Sequence, residues 1–234
     1  MKKTFLLCVL SLALGIGNAW ASIIGTTNPS LFTDSVDWCV QYGCSGQQEP
    51  PPSSWSSVWD HTGEVGLEDL QAFYVLRQGS SWNGNFSSGM GLIYNGAADG
   101  NTPTQIAAIF DEGLYGAGAY IESDYWGAFT ATITLFDIYD LPMGSFTTTG
   151  TSNGNPGTAL FIGGYISTQD VWAVEFDATG TGPYEPDFAI GTLDLETNAP
   201  PVPEPSTLLL LGPSLLGLLG FARRRMARKN KEVV

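Results

Sequence analysis

The sequence predicts an all-β protein, an antiparallel β-sandwich of jelly-roll or lectin-like type. Several segments alternate apolar and polar residues with a period of two, as half-buried strands do. Clusters of Gly, Asn, Asp and Pro separate these segments at short intervals. No segment shows the 3.6-residue apolar period of a convincing amphipathic helix. Short strands joined by frequent turns are typical of two-sheet sandwiches.

The predicted strands lie between residues 72 and 195. The clearest alternation is in Ala131–Leu135, where Ala, Ile and Leu alternate with threonines. In Val171–Asp177 the pattern sets Trp172 on the same face as two apolar residues, which predicts Trp172 in the core. The other predicted strands are Ala72–Leu76, Gly91–Tyr94, Ala107–Phe110, Ala117–Ile121 and Phe188–Leu195.

The last predicted strand changes phase along its length. Phe188 and Ile190 share one face, whereas Leu193 and Leu195 fall on the opposite one. Gly191 stands at the change, so we expect a β-bulge there. Turns are predicted at Asn83–Asn85, Asp99–Asn101, Gly150–Gly157 and Thr179–Pro183, and one helical turn at Gly66–Gln71.

The first 21 residues have the layout of a cleavable secretory signal peptide. Lys2 and Lys3 form a positive start, Phe5–Ile16 is apolar, and Ala19-Trp20-Ala21 is an A-x-A cleavage site. Cleavage at this site leaves residues 22–197 as a secreted, acidic, β-rich domain that is long enough to bury a sizeable core.

The C-terminal tail combines three features. A linker, residues 198–202, leads to Pro203-Glu204-Pro205, where closely spaced prolines keep the backbone extended. An apolar helix is expected at about 207–222. At about 1.5 Å per residue this helix spans roughly 24 Å, which is shorter than the ~30 Å hydrocarbon core of a bilayer. The helix is therefore a marginal membrane anchor. The cluster Arg223-Arg224-Arg225 follows, and by the positive-inside rule the basic residues 226–234 remain cytoplasmic.

Residues 203–225 resemble the PEP-CTERM sorting signal of Gram-negative bacteria, because the Pro-Glu-Pro motif, the apolar segment and the arginine cluster occur in that order. The resemblance implies transient insertion into the inner membrane and cleavage by an exosortase-type membrane protease. It then implies delivery to the cell surface or extracellular matrix, where such proteins are often linked to exopolysaccharide and biofilm. The same tail occurs on proteins labelled ice-binding, but we recognise no regular Thr-x-Thr ladder in this sequence and do not expect that activity.

Charge is distributed unevenly between the domain and its two ends. Of the nine Lys and Arg residues only Arg77 lies in the domain, whereas all but two of the 23 Asp and Glu residues do. A strongly negative field of this kind repels nucleic acid and anionic lipid headgroups, and it attracts divalent cations. Calcium is therefore the one cofactor that we consider, and the loops Asp99–Asn101 and Asp137–Asp140 could supply its oxygen ligands. The alternative is an acidic surface that is solvated and binds no cofactor.

The cysteines are typical of an exported protein. Cys8 leaves with the signal peptide, so that Cys39 and Cys44 remain as an even pair. In an oxidising compartment we expect these two residues to form a disulfide around a short loop.

Signals for catalysis are weak, and we predict that the protein is not an enzyme. His61 is the only histidine, so any Ser-His-Asp triad would have to use it. Carboxylate pairs such as Glu112 with Glu122, or Glu175 with Asp177, could resemble those of a glycosidase, but so many acids make any such pair uninformative.

The indole rings of Trp55 and Trp59, in a polar Pro/Ser-rich stretch, could stack on sugars if they are not buried. The main interpretation is an exported surface or matrix protein. The alternatives are a carbohydrate- or ligand-binding module and, with less support, a secreted hydrolase.

Overall fold

The computed structural model describes residues 23–44, 48–49, 56–60, 63–68, 73–96, 105–180 and 187–199. The chain divides into two units between Pro200 and Pro201, and every described residue belongs to the first unit. The predicted signal peptide, the sorting motif Pro203-Glu204-Pro205, the apolar helix and the cluster Arg223-Arg224-Arg225 lie outside the described residues. Within the described residues, no helix is both long enough and apolar enough to cross a bilayer.

The described part of the chain forms fourteen β-strands and two very short helices. In chain order the strands are β1 Ile24–Thr26, β2 Asp34–Val36, β3 Gln48–Glu49, β4 Ser56–Asp60, β5 Gly63–Glu68, β6 Phe73–Arg77, β7 Gly91–Tyr94, β8 Gln105–Leu114, β9 Gly116–Ser123, β10 Gly127–Phe136, β11 Pro142–Ser152, β12 Leu160–Tyr165, β13 Val171–Gly180 and β14 Phe188–Glu196. A single 3₁₀ turn spans Pro29–Leu31, and helix α1 spans Trp38–Tyr42.

These strands form two antiparallel sheets. Sheet A has the order β1-β12-β9-β14-β7-β6-β3, with β2 also paired to β14, and sheet B has the order β11-β10-β13-β8-β5-β4. From β8 onward the chain passes repeatedly between the sheets, because β9, β12 and β14 belong to sheet A whereas β8, β10, β11 and β13 belong to sheet B. The predicted antiparallel β-sandwich is confirmed.

The core lies between the facing sides of the two sheets. On β10 the side chains of Ala131, Ile133 and Leu135 are fully buried, whereas the alternating threonines are half-buried on the outer face of sheet B. Alternation of this kind buries one face of each strand, and the removal of apolar surface from water is the main stabilising term, about 25 cal/mol per Å².

All seven predicted strands are present, and β7 has the predicted bounds. The expected β-bulge at Gly191 is confirmed as well, because the pairing of β14 with β9 shifts register between Ile190 and Leu193. This shift returns Leu193 and Leu195 to the same face as Phe188 and Ile190, and all four side chains are buried in the main core.

Three expectations about local structure are wrong. Trp172 is only half-buried, and Val171 occupies the core instead, because β13 shifts register against β8 between Val171 and Ala173. Gly66 belongs to β5, which pairs with β8 through residue 68, so no helical turn begins there. The predicted turn at Gly150–Gly157 starts too early, since β11 continues through Ser152.

Helix α1 brings the two cysteines together. The Asp37 carboxylate caps the helix by accepting the backbone N–H of Cys39 at 2.9 Å, and Gly43 ends it with a φ of 74° that favours glycine. Cys39 and Cys44 form the predicted disulfide. Trp38 anchors the helix, because its buried indole donates to the Gly191 carbonyl at 2.7 Å.

The outer face of β10 and β11 carries a ladder of hydroxyl side chains that the sequence analysis did not recognise. Thr130, Thr132 and Thr134 on β10 stand opposite Thr149, Thr147 and Ser145 on β11. The hydroxyls of Thr132 and Thr147 are 3.2 Å apart, and those of Thr134 and Ser145 are 3.0 Å apart. The expectation that the chain has no regular Thr-x-Thr ladder is therefore wrong for this hairpin. The spacing of Thr130, Thr132 and Thr134 is visible in the sequence, but the facing hydroxyls on β11 become evident only when the two strands are aligned.

Candidate functional site

The outer face of sheet A is unusually aromatic. Tyr74, Tyr94 and Tyr120 lie on this face, each half-buried. The segment Gln78–Met90, between β6 and β7, folds back over it and forms a second apolar cluster. The buried members of this cluster are Leu76, Trp82, Phe86, Leu92 and Ala189.

Buried hydrogen bonds stabilise this covering segment internally and hold it to the sheet. The Gln78 side chain bonds both the carbonyl and the N–H of Gly84, at 2.7 Å and 3.1 Å. The Glu122 carboxylate accepts the backbone N–H of Asn85 at 2.7 Å and the indole N–H of Trp82 at 3.4 Å. Burial raises the pKa of Glu122, while these two hydrogen bonds act in the opposite direction.

Asn85 continues this network into the next loop. Its side chain donates to the Thr151 carbonyl at 2.8 Å and accepts the N–H groups of Asn153 and Gly154 at 3.0 Å and 2.8 Å. Because Asn85 is buried, each of these bonds is costly to lose. The covering segment and the β11–β12 loop are therefore fixed to each other at this end of the sandwich.

The turn between β9 and β10 lies at the same end and is fixed on both sides. The backbone N–H of Asp124 donates to the Asp187 carbonyl at 2.9 Å. The Ser152 hydroxyl donates to the Ser123 carbonyl at 2.8 Å. A turn held to two neighbouring elements presents its side chains in a defined orientation.

Two aspartates and two tyrosines meet beside this turn. We call Tyr94, Asp124, Tyr125 and Asp187 the tyrosine–aspartate corner. The Tyr94 hydroxyl donates to the Asp124 carboxylate at 2.9 Å. Burial raises the pKa of Tyr94, and the nearby Asp124 charge raises it further, so the hydroxyl keeps its proton and remains a donor.

Asp187 adds a second carboxylate to the corner. Burial raises the pKa of Asp187, as does the charge of Asp124, while a hydrogen bond to Tyr94 lowers it. The Tyr94 ring is itself held by neighbouring rings, with centroids 5.1 Å from Trp82 and 6.0 Å from Tyr74. Its hydroxyl is thereby positioned between two acids.

Trp126 is the outstanding exposed side chain of the turn. Its relative exposure is 79%, although tryptophan is among the most costly residues to leave in water. The indole lies over Gly154, whose φ of 72° favours glycine; a Cβ built there would be 3.6 Å from the ring. The tyrosine–aspartate corner and Trp126 together form the candidate site, which joins a flat apolar surface to hydrogen-bonding groups.

Such a combination matches the chemistry of a sugar. A pyranose presents apolar C–H groups on its faces, which pack against an indole ring, and hydroxyl groups at its rim. Carboxylates accept hydrogen bonds from hydroxyl groups, and these charge-assisted bonds are stronger than neutral ones. These are the two kinds of group that recognition of a sugar ring requires.

The residues that the sequence analysis proposed for sugar stacking are not part of this site as described. Trp55 lies outside the described residues, as does His61. Trp59 belongs to β4, where its backbone pairs with Glu64, and its side chain lies outside the described part.

The structure separates one of the two proposed carboxylate pairs and places the other on a single strand. Glu112 is exposed on β8 of sheet B, whereas Glu122 is buried on β9 of sheet A, so the structure does not place them together as a catalytic pair. Glu175 and Asp177 lie two residues apart on β13, half-buried on the outer face of sheet B. Burial raises the pKa of Asp177, and its Oδ1 atom is buried without a hydrogen-bond partner.

The calcium loops give no support to a cation site. Asp99–Asn101 lies outside the described residues. The Asp137 carboxylate accepts the backbone N–H groups of Tyr139 and Leu141, at 2.8 Å and 3.0 Å, and so stabilises its own turn. Across the described ranges there is no group of three or more His, Cys, Asp or Glu side chains that could hold a metal ion.

The sequence contained a usable signal for the site that was missed. Asp124, Tyr125 and Trp126 stand between two predicted strands, Ala117–Ile121 and Ala131–Leu135, where a turn must occur. A tryptophan in a turn is exposed more often than one in an alternating strand. No local signal linked Tyr94 or Asp187 to this turn, since only the pairing of β7 and β9 with β14 brings them together.

A second acid lies on the outer face of sheet A. Asp194, on β14, is half-buried, and burial raises its pKa to about 7. Its charge also raises the pKa of Tyr120, whose own burial has the larger effect.

Comparisons with known proteins find no matching family model and no matching curated protein. Among solved structures, CsCBM6-3 from Clostridium stercorarium in complex with cellobiose is 11% identical, with a TM-score of 0.32, covering 65% of this chain and 94% of that one. A DUF4465 family protein from Bacteroides caccae is 13% identical, with a TM-score of 0.36, covering 70% of this chain and all of that one.

The CBM22-1 xylan-binding domain of Xyn10C from Paenibacillus barcinonensis is 8% identical, with a TM-score of 0.29, covering 64% of this chain and 91% of that one. All three structures resemble this chain only at low TM-scores, 0.29 to 0.36, and none of them supports an inference about what this protein binds.

Proposed function

We propose that the domain is a non-catalytic carbohydrate-binding module that acts outside the cell. The observation that carries the proposal is Trp126, which is 79% exposed on a turn anchored to two neighbouring elements. Beside it, Tyr94, Asp124 and Asp187 supply hydrogen-bonding groups for sugar hydroxyls. A fixed aromatic surface with a few placed polar groups is the usual composition of a small-ligand site.

The charge of the domain narrows the ligand class. Arg77 is the only Lys or Arg residue between residues 22 and 202. Polysaccharides rich in uronate, sulfate or phosphate would be repelled by this field, whereas neutral chains would not. We therefore propose neutral polysaccharides of an extracellular matrix as the ligands, and a sandwich of jelly-roll or lectin-like type as the scaffold.

The same proposal includes the route of export. The signal peptide, the motif Pro203-Glu204-Pro205 and the cluster Arg223-Arg224-Arg225 suggest an exosortase substrate that passes through the inner membrane of a Gram-negative bacterium. Its destination would be the cell surface or the biofilm matrix, where a glycan-binding domain would attach the protein to exopolysaccharide.

Binding can be tested with a matched pair of variants. Trp126→Ala should weaken binding to neutral polysaccharides at least tenfold in affinity electrophoresis and calorimetry, because it removes the stacking surface. Tyr139→Ala is the control, since Tyr139 is equally exposed, at 79%, on a different turn. Asp124→Asn should reduce affinity as well. Equal binding by wild type and Trp126→Ala would overturn the proposed site.

Export can be tested by intact-mass spectrometry of protein collected from the cell surface or medium. The chain should begin at Ser22 and lack the apolar segment from Leu208 onward. A surface species that still contains Arg223-Arg224-Arg225 would contradict the sorting signal, without affecting the proposal for the glycan site.

One observation favours a second function, glycoside hydrolysis. Burial and the charge of Asp124 raise the pKa of Asp187, and a pair of neighbouring carboxyl groups is what a glycosidase requires. Reducing-end release that disappears in Asp187→Asn would favour the hydrolase. Retained binding without turnover supports the binding module.

A further inference from the structure

The long free edge of sheet B is the strongest unassigned feature of the molecule. Sheet B ends at β11, which is 11 residues long, whereas the other described strands that pair on one side only, β1, β2, β3 and β4, have three, three, two and five residues. Edge strands are usually protected by charged side chains or central prolines, since their unpaired backbone groups can pair with another strand. In β11 the only proline is its first residue, and none of its residues is charged.

The backbone of β11 presents a regular row of donors and acceptors to this edge. In an antiparallel ladder, hydrogen-bonded and non-hydrogen-bonded residue pairs alternate, and side chains approach most closely in the non-bonded pairs. Thr147 and Ser145 belong to the non-bonded set, because their hydroxyls lie 3.2 Å and 3.0 Å from those of Thr132 and Thr134. Thr151 has the same parity, and its carbonyl indeed points away from β10, to the Asn85 side chain.

It follows that the N–H and C=O groups of Ser145, Thr147 and Thr149 point away from β10. Within the described part of the chain, no backbone hydrogen bond outside the strand ladders reaches these three residues. Their side chains are exposed. A second strand could therefore form six hydrogen bonds, about two per residue of this set, without displacing any existing contact.

The charge pattern identifies the partner. From Leu141 to Gln169 the sequence contains no charged residue, although the domain as a whole is strongly acidic. Two copies of such a molecule repel each other everywhere except where both surfaces are neutral. The edge is also self-complementary: with Thr147 opposite Thr147 of the second copy, Ser145 of each copy faces Thr149 of the other.

We propose that β11 is the contact surface between two copies of this chain. The strands pair antiparallel about a two-fold axis at Thr147, as expected for an isologous dimer. This pairing joins the two six-stranded sheets into one continuous sheet and extends the hydroxyl ladder across the contact. The proposal is independent of carbohydrate binding.

The test is the oligomeric state of the exported protein, measured by sedimentation over a range of concentrations and salt. We expect a reversible dimer whose dissociation constant falls as salt rises, because salt screens the repulsion between the acidic domains. Thr147→Pro should raise that constant at least tenfold, since it removes an outward N–H that the β10–β11 ladder does not use. Thr147→Val keeps the backbone donor and should dimerise like the wild type.

A second variant distinguishes a loss of dimerisation from a folding defect. Thr147→Glu retains the N–H but places like charges opposite each other at the two-fold axis, which destabilises a cross-strand pair. It should also be monomeric, with an unchanged circular dichroism spectrum. A wild type that is monomeric at all concentrations overturns the proposal, as does a dimer that survives in both Thr147→Pro and Thr147→Glu.

Discussion

At the scale of single residues, acids placed in partly buried positions distinguish this protein. Most aspartates and glutamates of an acidic domain are solvated, but Asp187 and Asp194 are held where burial raises their pKa. Glu122 is buried but receives two hydrogen bonds, so it holds the covering segment in place. The same residue type thus serves solubility, architecture and, in the proposed site, ligand binding.

Asp194 predicts a pH dependence of stability with a definite sign. Its pKa is about 7 in the folded protein and near 3.9 in the unfolded chain, so the unfolded chain releases its proton first. The contribution of Asp194 to stability is fully present at about pH 4 and is lost as pH rises toward about 7. Asp194→Asn removes this loss. The melting temperature of the variant minus that of the wild type should therefore be larger at about pH 8 than at about pH 4.

The control is Asp170→Asn, which changes an exposed aspartate between β12 and β13. Between the two pH values, the melting temperature relative to wild type should change more for Asp194→Asn than for this variant, because Asp194 is half-buried whereas Asp170 is exposed. If the two variants change equally, Asp194 is not the group that makes stability depend on pH in this range.

At the scale of secondary-structure elements, alternation in sequence predicted strands that are buried on one face only. β10 and β13 were found this way, and the bulge in β14 was found from its phase change at Gly191. β11 was missed because its threonines and glycines alternate in neither size nor polarity. The register shift at Val171, which moves Trp172 out of the core, has no local signal and depends on the pairing of β13 with β8.

The candidate site was less predictable than the strands, for a related reason. Its members come from β7, from the turn after β9 and from the start of β14, which are distant in sequence and meet only through sheet pairing. The disulfide was predictable, because its two cysteines are five residues apart and the third cysteine of the sequence, Cys8, lies in the predicted signal peptide.

The disulfide gives a prediction for α1. Replacing both cysteines, as Cys39→Ser with Cys44→Ser, should lower the free energy of unfolding by about 2 kcal/mol, since a short loop gains limited entropy when it is opened. Urea unfolding of wild type, with and without reductant, and of the double variant measures the change. A double variant as stable as the oxidised wild type would mean that the Asp37 cap and Trp38 alone hold this helix.

At the scale of the whole molecule, the excess of acids opposes compaction. Exposed charges repel one another over about a Debye length, ~10 Å at 0.1 M salt, so monovalent salt should raise the melting temperature modestly. A dedicated calcium site would raise the melting temperature further, because calcium at a concentration ~100 times its dissociation constant adds about 2.7 kcal/mol to the free energy of unfolding. Millimolar calcium should be compared with monovalent salt of matched ionic strength. Equal shifts in melting temperature would mean that calcium only screens the acidic surface and has no dedicated site.

The position of β14 has a consequence for the order in which the domain folds. The last strand of the domain lies inside sheet A, between β9 and β7, and it also pairs with β2 near the start of the domain. The three pairings of β14, with β2, β7 and β9, must therefore wait until residues 188–196 have been synthesised. Folds built on such distant pairings form slowly, and in the export route proposed above this delay would keep sheet A open until translocation is nearly complete.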